Sequence, residues 1–89
     1  MNWDTHFVQF RTRHGTWSID RIDRIDRIGG WYRVFFEKEN LGHYASPFVA
    51  LDELTGGSCE WPGVLDPSEC GISDDFEDWT AVPKRPARR

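Results

Sequence analysis

Eighty-nine residues give room for one domain around one core, and a chain this short buries only about 60% of its unfolded surface. Aromatic residues make up 15% of it, including Trp3, Trp17, Trp31, Trp61 and Trp79, which is more ring than so small a core needs and leaves a surplus for an interface. The net charge of −4 conceals a segregation: Met1–Arg33 is +2, Val34–Pro83 holds one Lys against eleven Asp and Glu for −10, and Lys84–Arg89 is +4, so the body repels nucleic acid and either suits a basic protein surface or is a solvated face serving solubility.

In chain order, Met1 to His6 offers no basic stretch followed by an apolar run, so no signal peptide is expected. No apolar stretch approaches the roughly 20 residues that cross a bilayer. The expected location is the cytoplasm, with reduced thiols and no membrane contact. His6–Thr12 reads as a first strand, with Val8 and Phe10 on one face and Gln9 and Arg11 on the other. His14-Gly15 is a turn signal, and Thr16–Asp20 alternates again with Trp17 and Ile19 on one side.

The triplet Ile-Asp-Arg repeats at Ile19, Ile22 and Ile25 and stops at Ile28. A period of three fits neither a strand nor an α-helix, so the repeat is read as a lengthened second strand with its hairpin. An Asp beside every Arg weakens any reading of it as a phosphate-gripping ladder. Gly29-Gly30 is a tight-turn signal, and Trp31–Glu37 is the best strand pattern in the chain. Tyr32, Val34 and Phe36 line one of its faces, Trp31 and Phe35 the other. Glu37–Asn40 turns the chain and Leu41–Tyr44 returns, giving an antiparallel meander of about four strands.

A helix follows. Ser46 is an N-cap, Pro47 fits the first helical position and Gly56-Gly57 ends the run. Phe48, Leu51 and Leu54 form the stripe expected to pack on the sheet face of Val8, Phe10, Val34 and Phe36. The expected fold class is therefore α+β: a small antiparallel sheet, one helix on one face, and an irregular C-terminal segment. In that segment Ser73 is the expected cap of a short acidic turn, Asp74–Trp79. Trp61, Phe76 and Trp79 are expected to fold back over the sheet and cover Trp31 and Phe35. The domain is expected to span residues 1–80, with 81–89 a disordered basic tail rich in Pro and Arg.

Cys59 and Cys70 lie in sequence without a partner at zinc-ligand spacing, and His6, His14 and His43 are scattered, so no metal or cofactor is expected. Phosphate-binding glycine loops and the serine nucleophile motif are absent from the sequence, and nothing marks either thiol as activated, so no enzyme activity is expected. The feature with most functional weight is Asp74, Asp75, Phe76, Glu77, Asp78 and Trp79, in which two rings interleave with four carboxylates. Such a segment can seat its rings in an apolar notch while its charges meet Arg or Lys at the rim. Glu60 and Trp61 repeat the pairing on a smaller scale and join the candidate partner-binding set. For Phe76 and Trp79 the sequence leaves two roles open, core or anchor.

The stretch Gly42–Gly57, with Asp66-Pro67-Ser68 and Asp74–Trp79, resembles short uncharacterised proteins of proteobacterial phages and integrative elements. In size and acidity the chain is also similar to anti-CRISPR proteins, a class many of whose members block a nuclease complex at its nucleic-acid groove. That likeness implies an inhibitor of a host protein or nucleoprotein complex with a basic surface, and no direct contact with nucleic acid. The alternative is a nucleic-acid-binding accessory module that uses the Arg-rich second strand and the basic tail.

Overall fold

A computed structural model of the chain describes residues 2–22 and 31–84. Gly29-Gly30, most of the Ile-Asp-Arg repeat and residues 85–89 lie outside the described residues. The chain runs through β1 (His6–Thr12), β2 (Gly15–Ile22), β3 (Trp31–Phe36), β4 (Glu39–Tyr44), α1 (Pro47–Thr55) and β5 (Thr80–Pro83). Two single 3₁₀ turns, Pro67–Glu69 and Phe76–Asp78, interrupt the irregular stretch between α1 and β5.

The first four strands form the expected antiparallel meander; β1 and β2 alternate at the period of two of a one-sided sheet, whereas β3 carries apolar residues on both faces. The registers place Val8 opposite Ile19, Phe10 opposite Trp17, and Ile19 opposite Val34, so one face carries a continuous apolar layer. Between β3 and β4 the register shifts at Val34/Phe35: Gly42 faces Val34, Asn40 faces Phe35, and Leu41 is the extra residue. This bulge turns Leu41 into the core, where it is 1% exposed.

The sheet has a fifth strand, in the order β4-β3-β2-β1-β5. This overturns the expected tail boundary at Ala81. Thr80–Pro83 pairs antiparallel with Gln9–His6, and the Lys84 N–H continues the ladder to the Thr5 carbonyl at 2.8 Å. The Lys84 ammonium reaches the carbonyls of Trp3 (2.7 Å) and Arg21 (3.2 Å) and the Asp20 carboxylate (3.1 Å), which ties the chain's end to its beginning.

Helix α1 starts and stops where its signals stand. The Ser46 hydroxyl accepts the Phe48 N–H at 3.1 Å, and Pro47 occupies the first turn, where no N–H is needed. At the other end Ser58 N–H bonds to Glu53 O and Gly57 N–H to Leu54 O, the paired closure that needs a left-handed residue. Gly57 supplies it, with φ +76°. At nine residues α1 is too short to be stable alone, so its packing holds it. The buried side chains are Ala50, Leu51 and Leu54; Phe48, expected on that stripe, is 68% exposed. The buried face is rotated so that Ala50 takes the inward place, which brings the helix closer to the sheet than a ring would allow.

Trp17, Ile19, Val34, Leu41 and Leu54 are each 0–1% exposed and form the centre of the core. The Trp17 indole N–H donates to the Thr12 hydroxyl at 3.1 Å, so the ring is buried without an orphaned donor. No described helix is long and apolar enough to cross a membrane.

Candidate binding groove

The acidic segment lies on the same sheet face as α1, not over Trp31 and Phe35 as the sequence suggested. Trp31 instead meets His43 edge-on at 5.1 Å on the opposite face, and the Arg33 guanidinium lies over Phe35. Phe76 is the hub of a ring cluster: its centroid is 5.9 Å from Trp3, 5.7 Å from Phe48 and 5.8 Å from Trp79, all near edge-to-face. Trp3 extends the cluster to Tyr32 and Trp79 extends it to Phe10. Each pair adds about 0.5–1.5 kcal/mol beyond the area it buries, so the segment is held to the sheet mainly by its rings.

Of the two roles left open for the rings, Trp79 takes the first. Trp79 is 7% exposed and its indole N–H donates to the Ser73 carbonyl at 2.9 Å, so it belongs to the core. Phe76 is half-buried, packed against the core and against the exposed Phe48. The local cap also differs from expectation. Asp75, not Ser73, caps the turn Phe76–Asp78 by accepting the Glu77 N–H at 2.9 Å. The Ser73 hydroxyl accepts the Asp75 N–H at 3.0 Å and donates to the Asp78 carboxylate at 2.6 Å.

Between the N-terminal half of α1 and this segment lies an open groove of about 820 Å³. Val8, Leu51 and Ala81 form its floor and Trp3, Pro47, Phe48, Phe76 and Trp79 its walls. Asp74, Asp75 and Glu77 complete the lining, which among the described residues contains no Lys, Arg or His. All three carboxylates are exposed, so their charges stand in water at the rim of an apolar surface.

Of the residues singled out by sequence, Asp74, Asp75, Phe76, Glu77 and Trp79 therefore come together in one place. Asp78 is bound to Ser73 and faces a small cleft with Gln9, Phe10, Arg11 and Thr80 instead. Glu60 and Trp61 do not line the groove. Glu60 N–H meets Leu41 O at 3.3 Å, and the Trp61 indole donates to Gly57 O at 2.8 Å, which fixes both at the far end of α1. Sequence reasoning missed Trp3, Phe48 and Ala81 as lining residues. The surplus of aromatic residues was the available signal for the two rings; nothing local marked Ala81.

The thiols sit elsewhere. Burial and the nearby Glu53, Asp66 and Glu60 carboxylates push Cys59 up to about 11, so it holds its proton at neutral pH and is a poor nucleophile. Cys70 is raised as well, by burial and then by Asp66 and Glu69. Among the described residues, no three His, Cys, Asp or Glu side chains converge in a way that could hold a metal ion.

Compared with known proteins, the chain matches no family model, no curated protein and no solved structure.

Proposed function

We propose that this chain is a small, acidic, non-catalytic protein-binding protein, an inhibitor of the kind carried by phages and mobile elements, which occupies a basic nucleic-acid-binding surface of a host complex. One observation carries the reading: among the described residues, three carboxylates and no cation rim a groove whose floor and walls are apolar and aromatic. An apolar side chain of a partner that fills the groove removes the exposed face of Phe48 from water, and burial of apolar surface is favourable by roughly 25 cal/mol per Å². The rim contributes differently. Exposed carboxylates steer a basic partner in and reject an acidic one, with a strong dependence on salt.

Two of the described cations favour this assignment over a nucleic-acid module. Arg21, in the Arg-rich strand, is engaged by Asp4 at 2.7 Å, and Lys84 by Asp20 and two carbonyls. Surfaces that grip phosphate need such cations free.

The test is capture from a proteobacterial lysate on immobilised protein, followed by challenge with duplex DNA and RNA. The expected catch is a basic nucleic-acid-binding protein that added nucleic acid releases, while the chain itself does not bind free duplex at physiological salt. Micromolar binding of free DNA or RNA with a steep salt slope would overturn the reading in favour of the nucleic-acid module.

A further inference from the structure

The floor of the groove includes Ala81, and among the described residues Ala81 lies on a strand at the edge of the sheet. The phase of the β1–β5 ladder decides what that edge presents. Thr5 and Lys84 are a hydrogen-bonded pair, with Lys84 N–H on Thr5 O at 2.8 Å. Antiparallel ladders alternate hydrogen-bonded with non-hydrogen-bonded pairs. The register His6↔Pro83, Phe7↔Val82, Val8↔Ala81 then makes Phe7/Val82 a bonded pair and leaves Val8/Ala81 and His6/Pro83 unbonded across the ladder. The N–H and C=O of Ala81 and the C=O of Pro83 consequently point outward. Pro83 has no N–H to offer, so it shortens the edge without interrupting the ladder to β1.

An open edge beside an apolar, acid-rimmed groove selects an occupant by geometry. We infer that the groove takes an extended basic segment of its partner, which adds to β5 as a sixth strand by pairing with Ala81. This deepens the protein-binding reading and rests on it. The partner residue opposite Ala81 shares its side of the sheet, so its side chain drops onto Val8 between Phe48 and Phe76. Ala81 is small enough to leave that space open. The residues two before and two after it also point to the groove side, where Asp74, Asp75 and Glu77 favour Arg or Lys. Residues one away point to the other side of the sheet and gain nothing from the rim. The recognition rule is therefore an apolar anchor with basic residues at plus and minus two. A bound helix would require spacings of three and four instead.

Two acetylated, amidated peptides of identical composition test it on the full chain: TRTLTRT, with arginines two residues from the central leucine, and TTRLRTT, with arginines next to it. The first should bind about tenfold more tightly, measured by tryptophan fluorescence or calorimetry. Ala81→Pro removes the outward N–H while leaving the inward ladder bonds untouched, and should weaken the first peptide by about three- to tenfold at an unchanged melting temperature. If Ala81→Pro lowers the melting temperature, N-methylation of the peptide's leucine deletes the reciprocal bond of an antiparallel pair, leucine N–H to Ala81 C=O, and should cost as much. Equal affinity of the two peptides, or indifference to both deletions, overturns strand addition. If equal binding is still lost on Asp74→Lys/Asp75→Lys/Glu77→Lys, the acidic groove survives and only its strand mode fails. No binding of either peptide at millimolar concentration overturns both.

Discussion

The two ends of one sheet face make the most instructive comparison in the molecule. Over β2, β3 and β4 the face is closed: α1 lies across these strands, and Trp17, Ile19 and Val34 are 0% exposed. Over β1 and β5 it is only partly covered: Val8, 3% exposed, and the exposed Ala81 lie at the base of a groove whose walls include Phe48, 68% exposed, and the half-buried Phe76. The cause is length. A helix of nine residues spans about 14 Å, whereas five strands at roughly 4.8 Å spacing extend about 19 Å between the outer strand axes. One helix cannot cover the sheet, and the segment 73–79 closes only part of the remainder. Both ends are lined with rings and bordered by carboxylates, but at the groove the carboxylates stand beside an exposed ring, Phe48. Rings at the closed end should stabilise the fold; rings at the open end should contribute to binding.

Four substitutions and one titration probe that division, the largest expected effect first. Trp17→Ala empties the closed end and should cost about 3–5 kcal/mol, enough to unfold much of so small a domain, as read by urea denaturation. Trp79→Ala should cost about 2–3 kcal/mol, because this ring is core although it borders the groove; its melting temperature should fall before any partner affinity does. An equal loss of affinity at unchanged stability would move Trp79 to the open class.

Alkaline pH tests the closed end without a cavity. Cys59 stands near 11 in the fold against an ordinary 9, because burial disfavours the thiolate. Its stabilisation is complete below pH 9 and is lost between 9 and 11, where the unfolded chain releases the proton and the folded chain does not. The loss should reach at most about 2–3 kcal/mol. Tyr44 is raised in the same direction, first by burial, so the thiol's share is the difference between the wild type and Cys59→Ala. Denaturant midpoints that fall equally in both would remove Cys59 from the account. Phe48→Ala should change stability by less than about 0.5 kcal/mol, since an exposed ring loses little, yet weaken the groove's ligands about tenfold. A melting temperature that drops with Phe48→Ala would make this ring structural.

The closed end was the legible one. Alternation at a period of two marked β2, a dense apolar and aromatic run marked β3, and Ser46-Pro47 with Gly56-Gly57 bracketed α1 almost to the residue. These are local signals, carried by residues within a turn or a strand of one another. The open end depends on distant partners. Thr80–Pro83 contains a proline and leads into Lys84-Arg85, so it read as tail; it becomes a strand only because β1, more than 70 residues earlier, offers it an edge. Phe48 sits at helical spacing from Leu51 and Leu54 and read as core. It lies outside because the helix's first turn overhangs the groove. The acidic segment was visible through its composition, but its location was not. Which face it covers depends on Phe76 meeting Trp3 near the other terminus, a contact no sequence window contains.

The most direct test of the open end as a binding site is Asp74→Lys/Asp75→Lys/Glu77→Lys, assayed on one sample for thermal unfolding and for affinity to TRTLTRT and to the captured basic partner. Exposed charges contribute roughly 0–1 kcal/mol each to stability, so the melting temperature should move little. Binding should fall steeply, mainly through a slower on-rate that high salt reproduces in the wild type. Unchanged affinity at both low and high salt would contradict the account and leave the carboxylates as a solubility device.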